Sequence, residues 1–273
     1  MATTDGIVRE ALGDLDARLD HWKETLVDLC RIPSVSASGF PPEEVRRSAQ
    51  AGAQTLRDAG AEHVEVLEIP GVHPYVYGDW LHRPGAPTVL LYGHHDVMPP
   101  GPAEKWLSPA FEPTERGGRL YGRGTADDKG GVMPHVAAVG SDLRAAKTLP
   151  LNVKFIIEGE EEVGSRNLGR FLAEYRAKMA ADTDPEGPAF EAARSALKAG
   201  FGKETAMVGA GGTIGFVQPF ADLLKGAPCI LMGVADPNTQ AHSENESLHL
   251  GDWVKAMRST IHLYDALARV PRR

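Results

Sequence analysis

The stretch Thr88-Val89-Leu90-Leu91-Tyr92-Gly93-His94-His95-Asp96-Val97 decides how the rest of the chain is read. Its first five residues carry no charge, and a continuous apolar run bounded by turn residues suits a strand covered on both faces. Two histidines and an aspartate follow at once. His94 and Asp96 stand two apart, and side chains at i and i+2 of an extended segment share a face. A metal-binding imidazole usually donates its second N–H to a carboxylate, which fixes its tautomer. His94 as a ligand with Asp96 behind it fits that pattern, and so does a polar turn with a solvated aspartate.

Working outward, segment 151–157 reads as a second buried strand, and 64–67 and 75–77 as shorter ones. Segment 228–232 reads as another buried strand. Leu12, Leu15, Leu19, Trp22, Leu26 and Leu29 repeat at the helical period, predicting one helix over 7–31 that stops at Ile32-Pro33. Further helices are expected over 42–59, 130–146, 165–181, 188–198 and 250–268. Helices and strands alternate, so the fold class is α/β, with a mainly parallel central sheet and helices on both faces.

The chain has 273 residues, long for one domain and short for two, and a formal net charge of −8. That charge argues against nucleic acid or an anionic membrane as the main partner. Cys30 and Cys229 are far apart and form no CxxC pair, so they are expected as reduced thiols. No apolar run approaches the ~20 residues of a membrane helix. The first residues, MATTDGIVRE, lack the basic start and apolar core of a secretory signal, so a cytoplasmic location is expected.

Three more motifs carry chemistry. In Leu120–Gly130, LYGRGTADDKG, a glycine-rich loop delivers Asp127 and Asp128 to a helix start. One carboxylate with two oxygens can bridge two cations, and the same pair can simply cap the helix. No GKS or GKT follows, so the loop is not a P-loop. In Ile157–Ser165, IEGEEEVGS, four glutamates within five positions end an apolar strand. Like charges this close need solvent, protons or cations, and ligands gather at strand ends in open α/β sheets. In Gln240–Glu246, QAHSENE, His242 gains weight from the company of the other motifs.

Together with LCRIPSVS at 29–36, Trp106, Pro109 and Phe111 before the LYGRG run, and GGTI at 211–214, these motifs resemble one family in order over most of the chain. It is the zinc aminopeptidase-like metallopeptidases, which include carnosinase-type dipeptidases, carboxypeptidase G and the acetylornithine and succinyl-diaminopimelate deacylases. The DDKG and HSENE forms resemble the dipeptidase branch most. The resemblance implies a zinc-peptidase-like three-layer sandwich that binds two zinc ions, with cobalt or manganese able to substitute. It implies that His94 binds one zinc with Asp96 behind it, that Asp127 bridges, and that Glu161 is the general base. Glu162 would bind the His94-side ion or its neighbour, and His242 would complete the second. The implied activity is hydrolysis of dipeptides or small peptides. The alternatives are N-acyl amino acid deacylation, or a lid-deleted domain that binds metal with little activity.

The chain departs from the family in two places. Members usually insert a lid domain of about 100 or more residues between the glutamate motif and the glycine-rich segment. Here 48 residues separate Glu162 from Gly211, and no histidine lies between His135 and His242 to match the one a lid supplies. The expected organisation is a catalytic domain whose first part is 1–181 and remainder 201–273, with a short connection, 182–200, where the lid would be inserted. Without the lid a monomer is expected. The family also places a ligand aspartate after a strand beyond the glutamate motif. Asp182 is the candidate here, although no apolar strand precedes it and it also suits a turn.

Overall fold

The computed structural model describes residues 4–179, 187–206, 217–224 and 229–270. The chain opens with α1 (Thr4–Ala17), α2 (Leu19–Cys30) and α3 (Pro42–Asp58), then runs through β1 (Glu62–Leu67), β2 (Tyr75–Trp80) and β3 (Thr88–His94). β4 (Thr114–Arg116) and β5 (Arg119–Tyr121) precede α4 (Lys129–Ala146) and β6 (Asn152–Glu158). After these come α5 (Leu168–Glu174), α6 (Arg176–Met179), α7 (Pro188–Phe201), α8 (Val217–Leu223), β7 (Ser247–His249) and α9 (Leu250–Ala268).

The main sheet has strand order β1-β2-β6-β3. β3 runs parallel to β6, whereas β1–β2 and β2–β6 are antiparallel. The α/β architecture with helices on both faces is as expected. Among the described residues, however, the sheet is mixed and not mainly parallel. The short link between β1 and β2 is too brief for the crossover that a parallel pair needs.

The period-2 rule distributes the strands between two cores. Val76, Val153, Phe155 and Leu91 face a large core built with α1–α4, α7 and α9. Tyr75, Tyr77, Ile156, Leu90 and Tyr92 face a smaller one capped by Leu168, Phe171 and Phe220. There the rings of Tyr75 and Phe171 stack with centroids 3.8 Å apart. A second, antiparallel sheet of order β4-β5-β7 pairs Tyr121 with Ser247. It therefore sets the loop after β5 beside the loop before β7.

Three further expectations are corrected. The helix over 7–31 breaks at Arg18, so that α1 packs on α4 and α9 while α2 reaches α3 and α4. The helix over 165–181 is divided at Tyr175 into α5 and α6, and residues 180–181 lie outside the described ones. Residues 229–232 form no strand, and residue 228 lies outside the described ones. Ile230, Met232 and Val234 pack on the main core, but Leu231 is 56% exposed. The apolar run is an extended segment with one face covered; its composition alone could not separate that from a strand covered on both faces. Cys30 is buried and Cys229 half-buried, and neither forms a disulfide with a described residue. No helix of the described residues is long and apolar enough to cross a membrane.

Candidate metal centre

β3 and β6 end side by side, with His94 opposite Glu158. Both chemistry-bearing motifs therefore leave the sheet at one rim, where parallel strands present their C-terminal ends. Beyond β3, Asp96 is fully buried and collects donors from three segments. Its carboxylate accepts from Ser36 Oγ at 2.6 Å and from the backbone N–H groups of Glu161 and Glu162 at 3.2 and 3.1 Å. His94 Nδ1 lies 3.1 Å from the Asp96 carbonyl oxygen and 3.4 Å from its Oδ1. Asp96 thus orients His94 and also fastens the glutamate loop beneath it.

Asp127 sits between two imidazoles. Its Oδ1 is 3.1 Å from His94 Nε2 and its Oδ2 is 2.7 Å from His242 Nε2. Glu162 Oε2 lies 3.3 Å from His242 Nε2, and Glu161 Oε2 lies 3.8 Å from His94 Nε2. Glu162 Oε1 accepts from the Met98 N–H at 3.1 Å. One ligand atom each from His94, Asp127 and Glu162 falls within 4.8 Å of the others. The donor set is hard oxygen plus imidazole nitrogen, which suits zinc, cobalt or manganese. A carboxylate offering one oxygen to each imidazole fits a pair of cations, so these residues fit the metals that the resemblance implies.

The electrostatics follow from this crowding. Burial disfavours the charged form of His94, but its hydrogen bonds to Asp127 and Asp96 outweigh that and raise its pKa well above the usual value. Burial likewise opposes ionisation of Asp127, yet His94 and His242 hold it below the ordinary carboxylate range. Burial drives Glu162 up to about 8, against the pull of His94. Carboxylates so confined are stabilised by a cation, which supplies the missing positive charge.

The glutamate run divides its labour. Glu158 points into the smaller core, accepting from Tyr75 Oη at 2.9 Å, Tyr92 Oη at 2.6 Å and Ser165 Oγ at 3.2 Å. Glu160 turns back on Asn167, accepting from its N–H at 2.9 Å and its Nδ2 at 3.2 Å. Only Glu161 and Glu162 face the histidines. Asp128 accepts from the His94 N–H at 3.2 Å, and a Cβ at Gly131 would overlap its Oδ1 and displace that carboxylate.

The His242 loop takes left-handed backbone at three non-glycine residues, Gln240, His242 and Asn245, a conformation that costs energy and collects at functional sites. Asn245 clamps it to the neighbouring loop: its Oδ1 accepts from the Leu107 N–H at 2.9 Å and its Nδ2 donates to the Lys105 carbonyl at 2.8 Å. The structure thus brings together His94, Asp96, Asp127, Glu161, Glu162 and His242. Asp182 and the GGTI segment lie outside the described residues. Sequence reasoning missed Ser36 and Glu246. Ser36 lies in a segment 60 residues before its partner. Glu246 carried a signal in standing next to the β7 residues, but its burial depends on the β5–β7 pairing.

Residues 90–184 match the sequence profile of peptidase family M20/M25/M40. Over 172 residues the chain is 33% identical to Beta-Ala-His dipeptidase of Rattus norvegicus, covering 59% of this chain and 35% of that protein. Over 113 residues it is 41% identical to succinyl-diaminopimelate desuccinylase of Xanthomonas euvesicatoria pv. vesicatoria, covering 40% of this chain and 28% of that protein. The chain therefore spans about a third of the length of these curated relatives. The crystal structure of human carnosine dipeptidase 1 superposes with a TM-score of 0.85 at 17% identity, covering 97% of this chain and 99% of that one, which shows a shared fold.

Proposed function

We propose, from the premise that residues 90–184 of this chain are those of a peptidase family M20/M25/M40 member, that it hydrolyses the peptide bond of dipeptides or small peptides with the help of two zinc ions. The observation that carries this reading is Asp127 set between His94 and His242, with one carboxylate oxygen toward each. His94, Asp127, Glu162 and His242 would hold the ions, Glu162 on the side of the histidine it contacts, and Asp182 is proposed as a further ligand. When bound, zinc lowers the pKa of a water toward about 7 and polarises an amide carbonyl.

Glu161 is the proposed general base. Its Oε2 stands beside His94 Nε2 without being among the atoms closest to the imidazole, and its side chain is partly open. It takes a proton from the attacking water and returns it to the leaving nitrogen, so the water's hydroxyl ends on the carbonyl carbon and its proton on the amine. Asp96 keeps His94 and the Glu161–Glu162 backbone in register for this. Glu161→Gln is expected to keep its zinc while turnover falls about 10²–10⁴-fold; a variant with near-normal turnover would remove Glu161 from the role.

Deacylation of N-acyl amino acids is the second reading, favoured by the identity to the desuccinylase. A panel pairing β-alanyl-histidine and other dipeptides with N-succinyl and N-acetyl amino acids separates the two. Preference for the dipeptides supports the first reading, and exclusive cleavage of acyl substrates replaces it with the second.

A further inference from the structure

We infer that Glu246, which lies beneath the metal centre, is a positioning residue that fixes Asp127 between the two histidines and so controls binding of the second cation. This rests on the two-ion reading given above. Glu246 is fully buried. Its Oε1 accepts from the backbone N–H groups of Ala126 and Asp127, both at 3.0 Å. Its Oε2 accepts from Arg123 Nη1 at 2.6 Å and from the Gly124 N–H at 3.2 Å. Its own carbonyl accepts from the Gly122 N–H at 3.0 Å.

One side chain therefore binds four donors along the 123–127 loop while its backbone belongs to the loop that carries His242. The bridging carboxylate and the second histidine are 115 residues apart in sequence. Glu246 connects them through a single buried ion, only one residue from the β5–β7 pairing. A buried carboxylate with all its lone pairs engaged is rigid, because each N–H it releases would be left unsatisfied away from water. Arg123, itself buried, neutralises it and extends the tie to the Pro99 carbonyl at 3.2 Å. The Asp127 main chain has little freedom to drift toward either imidazole alone. Groups that orient ligands in this way typically change metal affinity about 10–100-fold when altered.

The test uses cobalt as the probe, followed by its visible absorption and by calorimetric titration of the metal-free full chain. Glu246→Asp keeps the charge but withdraws the carboxylate from the Ala126 and Asp127 N–H groups, and Glu246→Gln keeps the length but loses the charge. Asp236→Asn serves as control. It weakens the ion pair with Arg119, at 2.6 Å, that anchors the same small sheet without touching the 123–127 loop. Both Glu246 variants are expected to bind one cobalt near wild-type affinity and the second at least about tenfold more weakly. The control should lose thermal stability but not affinity. A folded Glu246→Asp or Glu246→Gln that binds both ions as wild type does overturns the inference, as does an equal loss in the control. If Glu246→Gln fails to fold, the Asp variant decides alone. Wild-type chain that binds no cobalt defeats the two-ion reading itself and is distinct from either result.

Discussion

Asp96 shows how much one side chain can organise. It faces His94, accepts from Ser36 Oγ and holds the backbone of the two glutamates that reach the site. Asp96→Asn preserves its volume but replaces an oxygen that accepts two bonds with an amide that donates. The expected result is zinc affinity lowered about 10–100-fold, measured by competition with a chromogenic chelator; unchanged affinity would leave Asp96 a packing residue only. The pairing of His94 with Asp96 was legible because both lie in one extended segment, where spacing alone sets the geometry. The division of the glutamate run was not. Glu158 is distinguished from Glu161 and Glu162 by Tyr75 and Tyr92, which approach it from the two strands flanking β6, and strand neighbours are a matter of non-local pairing.

At the scale of elements, α4 carries a proline that its neighbour accommodates. Pro134 has no N–H, so the Gly130 carbonyl loses its helical donor. The indole of Trp253 on α9 replaces it, with Nε1 2.9 Å from the Gly130 oxygen. Trp253→Phe leaves that buried carbonyl without a donor and is expected to lower stability by about 1–3 kcal/mol, read from urea unfolding. A loss below the error of that experiment would show that the carbonyl is satisfied in another way. Long periodic helices such as α3 and α9 were legible nearly to their ends. The break at Arg18 was not, because the apolar stripe continues across it and only the divergence of α1 toward α9 and of α2 toward α3, with α4 shared, requires it. Segment 228–232 misled for the related reason that a short apolar run does not state whether one face or two will be covered.

For the whole molecule, the α/β class could be read from the alternation of elements, whereas strand direction depends on connections whose lengths say only what is permitted. One buried acid far from the rim gives a pH dependence. Asp142 is buried beside Asp265, its Oδ2 finds no hydrogen-bond partner among the described residues, and burial pushes its carboxyl up to about 8. An unfolded chain releases that proton near pH 3.9, about the ordinary value. Between these values the native state binds the proton and the unfolded state does not, so the Asp142 contribution falls as pH rises from about 4 to about 8 and is level above. Asp142→Asn should remove that slope and stabilise the protein at pH 8, as thermal melts across the range would show; a variant with the parent's slope would place the titration elsewhere. With 182–200 proposed to stand where a lid would be inserted, light scattering is expected to give a monomer, and a dimer would overturn that expectation.

Segments distant along the chain are proposed to converge on two cations. Anomalous diffraction at the zinc edge, from crystals of the zinc-loaded chain, measures this directly. Two peaks are expected about 3.5–4 Å apart, one on either side of Asp127, with His94 at one and His242 at the other. Zinc found only away from these side chains, or no peak among them in zinc-saturated crystals, would contradict the account.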